Sequence, residues 1–255
     1  MNEALKKYKV FDSHFHIIDN QFPLVSNQGF IPEEFTCDDY LERMRPYNLI
    51  GGAIVSGSFQ GFDNSYLVKA LDRLGDKFAG VLQLPESVTD DDILYLDKIG
   101  VRGVRFNLKR GGSQQLDYLK SMAQRVYELL DWHIEIYADS MKLSQLYDVI
   151  ISLPSVSIDH LGITHDHFNT VLKLAEKGVR VKASGFGRVD FNVKAALKDI
   201  YSANPDSLMF GTDHPSTRAP RPYKEDDINL ILETFDFESA QKIFCKNAVE
   251  FYKIK

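Results

Sequence analysis

Cysteine is scarce: Cys37 and Cys245 are the only two in 255 residues, and neither has a near partner. That spacing excludes a disulfide framework and a cysteine-held zinc cluster, and it fits a reducing compartment. Long apolar runs are missing too. No window approaches the roughly 18 apolar residues that span a bilayer. The stretch from Met1 to Lys7 is followed by no signal-peptide core, because Asp12, His14 and His16 interrupt the first hydrophobic run. A cytoplasmic protein away from membranes is therefore expected. There is no Lys/Arg block among 30 basic and 36 acidic residues, so nothing is set to neutralise a run of phosphates, and nucleic acid is not an expected partner. No Gly-x-Gly-x-x-Gly follows the first strand-like segment, which argues against an open dinucleotide-binding sheet. Gly51-Gly52 reads as a turn and Gly111-Gly112 as a loop.

With 44% hydrophobic and 26% charged residues the composition is that of a globular chain able to bury a full core. Short β-branched or aromatic runs predict eight strands, at 10–16, 51–57, 78–84, 101–108, 134–139, 156–161, 179–185 and 208–213. Between them apolar residues recur at helical spacing, as in Tyr66, Leu67, Ala70, Leu71 and Leu74. Asp63-Asn64-Ser65 is placed to cap that helix, and Gly178 to end the one carrying Val171, Leu172, Leu174 and Ala175. Eight strand-helix units at about 30 residues each predict an α/β fold, a single-domain (β/α)8 TIM-like barrel over 1–255. The longest irregular stretch, from Asp19 to Thr36, is a candidate lid over the mouth.

Barrel enzymes place reacting groups at the C-terminal ends of strands. Strand one ends in Phe11-Asp12-Ser13-His14-Phe15-His16, where residues two apart share a face, so His14 and His16 both point into the mouth. Strand six ends in Asp159-His160, strand seven carries Lys182, and strand eight ends in Thr212-Asp213. A second pair, His165 and His167, falls between elements and is left out of the site.

The chain resembles the amidohydrolase superfamily, in its lactonase branch, which includes 2-pyrone-4,6-dicarboxylate lactonase and fucono- and rhamnono-lactonases. The resemblance rests on Phe-Asp-Ser-His-Phe-His at 11–16, Gly-Val-Arg-Phe-Asn at 103–107, Ile-Asp-His-Leu-Gly at 158–162, Val-Lys-Ala-Ser-Gly at 181–185 and Phe-Gly-Thr-Asp-His-Pro at 210–215. It implies a deformed barrel with a site built from His14, His16, His160 and Asp213, and with Arg105 reaching the substrate. Two-metal members hold a bridging carboxylated lysine and two more histidines. Strand five here reads Ile134-Glu135-Ile136-Tyr137-Ala138-Asp139, and strand seven offers Lys182 without a histidine, so a second metal is not expected. Three imidazoles and a carboxylate suit one Zn²⁺ with room for water, yet the branch also includes members that work without metal.

The remaining candidates have two readings each. Lys182 is a ligand of a substrate carboxylate or hydroxyl, or a barrel-interior lysine paired with an acid. Arg105 binds substrate or makes a structural ion pair, while Arg102 and Arg110 face outward. Tyr137 lines the pocket or fills a barrel layer. Asp12 orients an imidazole or packs in the core. Arg188 meets an anionic substrate or is solvated. The expected activity is hydrolysis of an ester bond in a small lactone, a sugar aldonolactone or pyrone carboxylate, with Asp213 as general base and the histidines or one metal polarising the carbonyl. A zinc-dependent hydrolase or decarboxylase of an aromatic acid, and a non-catalytic metabolite-binding barrel, are the alternatives. The expected partner is a small molecule.

Overall fold

The computed structural model describes residues 3–110 and 116–254. Eight strands follow one another around a parallel sheet: β1 (Lys9–Phe15), β2 (Asn48–Val55), β3 (Phe78–Leu82), β4 (Val101–Asn107), β5 (His133–Tyr137), β6 (Val156–Ile158), β7 (Arg180–Ala183) and β8 (Leu208–Phe210). Helices interleave with them, as expected of a (β/α)8 barrel. Each has a visible local cause. Cys37–Met44 and Asp90–Lys98 start at Thr36 and Thr89, whose hydroxyls accept from the third helical N–H while Asp39 and Asp92 bond back. Ser65–Leu74 buries Tyr66, Leu67, Ala70 and Leu71, the stripe seen in the sequence, and Asp63 accepts from the Ser65 N–H at its start. Gly178, at φ 90°, follows the helix Phe168–Glu176. Gly111-Gly112 lies outside the described residues. Among the described residues no helix is long and apolar enough to cross a membrane.

Two features of this barrel position the site. Hydrogen-bonded ladders join β1 through β8 in turn, but the last seam is closed just beyond the strand ends. There the Asp213 N–H donates to the His14 carbonyl and the His16 N–H to the His214 carbonyl, both at 2.7 Å. Gly211 permits this approach, since a Cβ there would lie 2.8 Å from the His14 backbone nitrogen. Below, the barrel floor is packed with Phe11, Ala53, Val55, Ala79, Val81 and Met209, sealed by Tyr252 from the C-terminal segment.

Strands six to eight are shorter than predicted, ending at Ile158, Ala183 and Phe210. The chain leaves the extended conformation to aim polar groups: His160 sits at φ 51° and Asp213 at φ 60°, left-handed conformations that non-glycine residues adopt at a cost of about 1–3 kcal/mol each. The 19–36 stretch is irregular, as expected, and is tied down by an Ile18–Phe35 bridge, a tight Asn27–Phe30 turn and a bond from the Val25 N–H to the Phe59 carbonyl.

Candidate active site

Pairing between β1 and β2 slips between Asp12 and Phe15. The slip sends Asp12 away from the mouth, where its carboxylate accepts from the Thr212 hydroxyl at 2.6 Å, the Thr212 N–H at 2.9 Å and the Tyr40 hydroxyl at 3.3 Å. Asp12 therefore touches no imidazole, and its reading as a partner that orients one is corrected: it ties β1 to the chain after β8. Burial pushes its carboxyl up to about 6 against those bonds.

His16 lines the mouth, and His14, wholly buried, lies just beneath it. The His16 Nδ1–H donates to the Val55 carbonyl at 2.6 Å, which turns Nε2 toward Asp213. The His160 ring is held by Ser184, with Nδ1 2.9 Å from the hydroxyl, and lies against Gly185, where any Cβ would come within 2.6 Å of that nitrogen. All three Nε2 atoms surround one oxygen: Asp213 Oδ1 lies 3.6 Å from His16, 3.8 Å from His14 and 3.9 Å from His160. These four side chains are buried.

Arg188 fixes the other carboxylate oxygen, with Nε donating to Asp213 Oδ2 at 2.6 Å and Nη2 to the Thr217 carbonyl at 2.9 Å. It is thus neither solvated nor free. Burial works to raise the Asp213 carboxyl, yet Arg188, helped by the imidazoles, holds it well below the usual carboxylate range. Burial pushes His160 down to about 3 and His14 well below the ordinary histidine value, in each case overcoming a nearby carboxylate.

Beneath the imidazoles lies a sealed charged layer. Lys182, wholly buried, donates to Glu135, and Asp159 stands 3.8 Å from its Nζ. Arg105 donates to Asp159 Oδ2 through Nη2 at 2.7 Å and Nε at 3.3 Å, and to the Ser56 carbonyl through Nη1 at 2.6 Å. Of the two readings of Lys182 the structure takes the second: it is paired one layer too deep to line the mouth. Arg105 makes a structural ion pair and also borders the mouth.

The mouth is lined by His16, Arg105, Asn107, Arg110, Tyr137, His160, Arg188 and Arg218, with Gly57 to Phe59 and Thr217. Tyr137 thus borders the pocket, its ring 5.3 Å from His160 and 5.2 Å from the Arg105 guanidinium carbon. Arg110, expected to face outward, is at the rim because the chain turns after Asn107, whose side chain accepts from the Arg110 N–H. Sequence reasoning missed Arg218, Asn107 and Asp159. Asp159 had a signal in its place beside His160, whereas Arg218 sits in a non-periodic loop. Its guanidinium bonds Asn27 of the 19–36 stretch and lies 4.4 Å over the Phe30 ring. The space left at the mouth is about 30 Å³, room for about two or three waters. Larger recesses of about 740 and 890 Å³ touch none of His14, His16, His160 or Asp213, so chemistry rather than size selects the site.

Three of the four groups, His14, His160 and Asp213, fit a metal ion by type and spacing, with His16 beside them. His14 Nε2 and Asp213 Oδ1 are buried without a hydrogen-bond partner, and His14, His160 and Asp213 form one group of converging ligand atoms. A second group, His14, Glu135 and Asp159, does not fit, because the Lys182 ammonium already stands among them.

Comparison with known proteins finds relatives along nearly the whole chain. The chain is 26% identical to a 2-pyrone-4,6-dicarboxylate hydrolase of Comamonas testosteroni, over 94% of this chain and 89% of that one. It is 25% identical to a 4-sulfomuconolactone hydrolase of Hydrogenophaga intermedia, over 91% and 84%. Two crystal structures share the fold. One is described as a probable 2-pyrone-4,6-dicarboxylic acid hydrolase of Acinetobacter baumannii with citric acid bound (TM-score 0.82, 23% identity, 96% and 99% covered). The other is a lactonase of Listeria monocytogenes (TM-score 0.62, 14% identity, 99% and 96% covered). The amidohydrolase family model matches residues 11–254, nearly the whole barrel, and the chain therefore belongs to the amidohydrolase family.

Proposed function

We propose that this hydrolase opens the ester bond of a small lactone that carries anionic groups, with Asp213 as general base. One observation carries the proposal: Asp213 Oδ1, buried and unbonded, is ringed by three imidazole nitrogens at the foot of a mouth bordered by four arginines. Arg105 and Arg188 are matched by Asp159 and Asp213, whereas Arg110 and Arg218 have no carboxylate partner among the described residues. Two uncompensated guanidinium groups favour a substrate with about two negative charges, the pyrone carboxylate type over a neutral aldonolactone. The named relatives point the same way, one acting on a dicarboxylate and one on a sulfonated lactone.

In this reading water enters between Asp213 and the lactone carbonyl. Ionised Asp213 takes its proton as the water oxygen bonds the carbonyl carbon, and charge develops on the carbonyl oxygen. His14 and His160, kept neutral by burial, stabilise that oxygen through their Nε2–H groups. The ring C–O bond then breaks, and the proton held by Asp213 passes to the leaving oxygen. Arg110 and Arg218 bind the substrate's anions, with Tyr137 beside its ring. His14, His16, His160 and Asp213 would hold a single divalent ion, Zn²⁺ suiting them best, and such an ion supplies Lewis-acid polarisation when bound.

A panel of pyrone dicarboxylates and neutral aldonolactones tests the proposal. Asp213→Asn should lower kcat by about 10²–10⁴-fold while keeping substrate binding. Absence of turnover on every lactone, or an unchanged kcat in Asp213→Asn, overturns it.

A further inference from the structure

His14 and His16 stand side by side, yet their inner nitrogens meet opposite partners. The His16 Nδ1 faces a carbonyl and must carry the proton. The His14 Nδ1 lies 3.2 Å from Lys182 Nζ in hydrogen-bonding geometry. Asp159 Oδ1 is nearly as close, at 3.3 Å, and Glu135 Oε1 lies at 3.6 Å, but both oxygens remain without a hydrogen bond. An ammonium has donors only. A protonated Nδ1 would face it proton to proton, so the contact requires His14 to accept there.

We propose that Lys182 is a positioning residue that fixes neutral His14 with its proton on Nε2, making His14 a hydrogen-bond donor toward Asp213. The donor is ready for use: His14 Nε2 is buried without a partner, 3.8 Å from the equally unbonded Asp213 Oδ1. An oxygen bound near that pair meets a donor on one side and a base on the other. Glu135 holds the ammonium in place, and Tyr252, 3.4 Å from the same carboxylate oxygen, closes the layer from below. Lys182 thereby works through His14 and never touches the substrate. The same arrangement weakens metal binding without removing His14 from the ligand set, since a ring protonated on Nε2 must give up that proton before an ion can bind there. Removing Lys182 frees Nδ1 to donate to Asp159, as second-shell carboxylates do for metal-binding histidines. The catalytic half of this inference rests on the lactone reading; the tautomer itself does not.

The test is ¹⁵N NMR of the full-length chain labelled at histidine, with His14 assigned by loss of its signals in His14→Gln. Wild type should show His14 protonated at Nε2 and His16 at Nδ1. Lys182→Met should move the His14 proton to Nδ1. Because Lys182→Met leaves Glu135 buried and unpaired, Lys182→Met/Glu135→Gln is the companion variant and should give the same switch. In both, calorimetric titration with Zn²⁺ should show at least tenfold tighter binding than wild type, and kcat on a lactone substrate should fall at least tenfold with KM within about twofold. A wild-type His14 protonated at Nδ1, or the same tautomer in wild type and both variants, overturns the proposal. If the tautomer switches but no lactone is hydrolysed by wild type, the lactone reading fails and the positioning role stands.

Discussion

Arg188 Nε donates to Asp213 Oδ2 at 2.6 Å, so one carboxylate oxygen is committed to a guanidinium while the other is left among the imidazoles. The pair aims the proposed base. Arg188→Met releases that aim without removing the carboxylate, and about a hundredfold loss of kcat is expected, the scale of an ångström of misplacement at a reacting group. Steady-state kinetics check it, and Arg188→Lys, which keeps one donor, should lose less. A kcat equal to wild type in Arg188→Met would mean that Asp213 is held by its surroundings alone.

Arg110 and Arg218 border the mouth without a carboxylate partner among the described residues. Each one's replacement by Met should raise KM for a dicarboxylated lactone by about tenfold, the effect of losing one charge-assisted bond to the substrate, and leave kcat little changed. KM for a neutral aldonolactone should not move. Equal effects on both substrates would place these arginines outside substrate recognition.

Arg105 belongs to a different class despite sharing the mouth. Its guanidinium is buried on Asp159, so Arg105→Met takes away the hydrogen-bonded partner of a buried carboxylate and leaves only Lys182 nearby, a loss of at most about 3–5 kcal/mol of stability. Denaturant unfolding should show it, alongside any change in KM. Arg105→Met/Asp159→Leu, which removes both charges, should recover much of the loss.

The helix caps set an acid limit on stability. Bonds from the Thr36 side chain and backbone hold the Asp39 carboxyl below its ordinary value, and Thr89 does the same for Asp92. A carboxyl whose pKa is lower folded than unfolded adds stability above its unfolded value and loses it as the pH falls through the folded one. Asp39→Asn and Asp92→Asn should therefore melt below wild type at pH 7, with the gap closing as the pH falls below the ordinary carboxylate range and the wild-type carboxyls take up protons. Thermal melts over that range decide it; a gap that persists at low pH would assign the effect to something other than the carboxylate charge.

Entry of a lactone requires movement at the mouth, where the side chains leave space for only about two or three waters. The Asn27–Phe30 turn grips Arg218 and is the natural moving part. Asn27→Ala should loosen that grip and speed exchange of the amides around the turn, which hydrogen exchange measures, while the barrel strands keep their protection.

The sequence by itself determined the barrel and four of its mouth groups. Parallel strands buried on both faces read as short apolar runs, outer helices read as apolar stripes, and eight alternations admit few folds. His14, His16, His160 and Asp213 were legible because each lies at or just past a strand end, where chain direction alone carries it to the rim. The tertiary structure decided what partners those groups find. A register slip in β1 turned Asp12 toward Thr212 and away from the imidazoles, although its spacing from His14 suggested a shared face. Lys182 went to Glu135, 47 positions earlier in the chain, and Arg188 to Asp213, because β5 and β7, separated only by β6, turn side chains into the same interior layer and the β7 and β8 loops meet. Arg110 and Arg218 reached the mouth through loops with no periodicity to mark them. Strand periodicity fixes which way a side chain leaves its own backbone, but pairing between buried charges is set by distances across the closed barrel, and those exist only after it has folded.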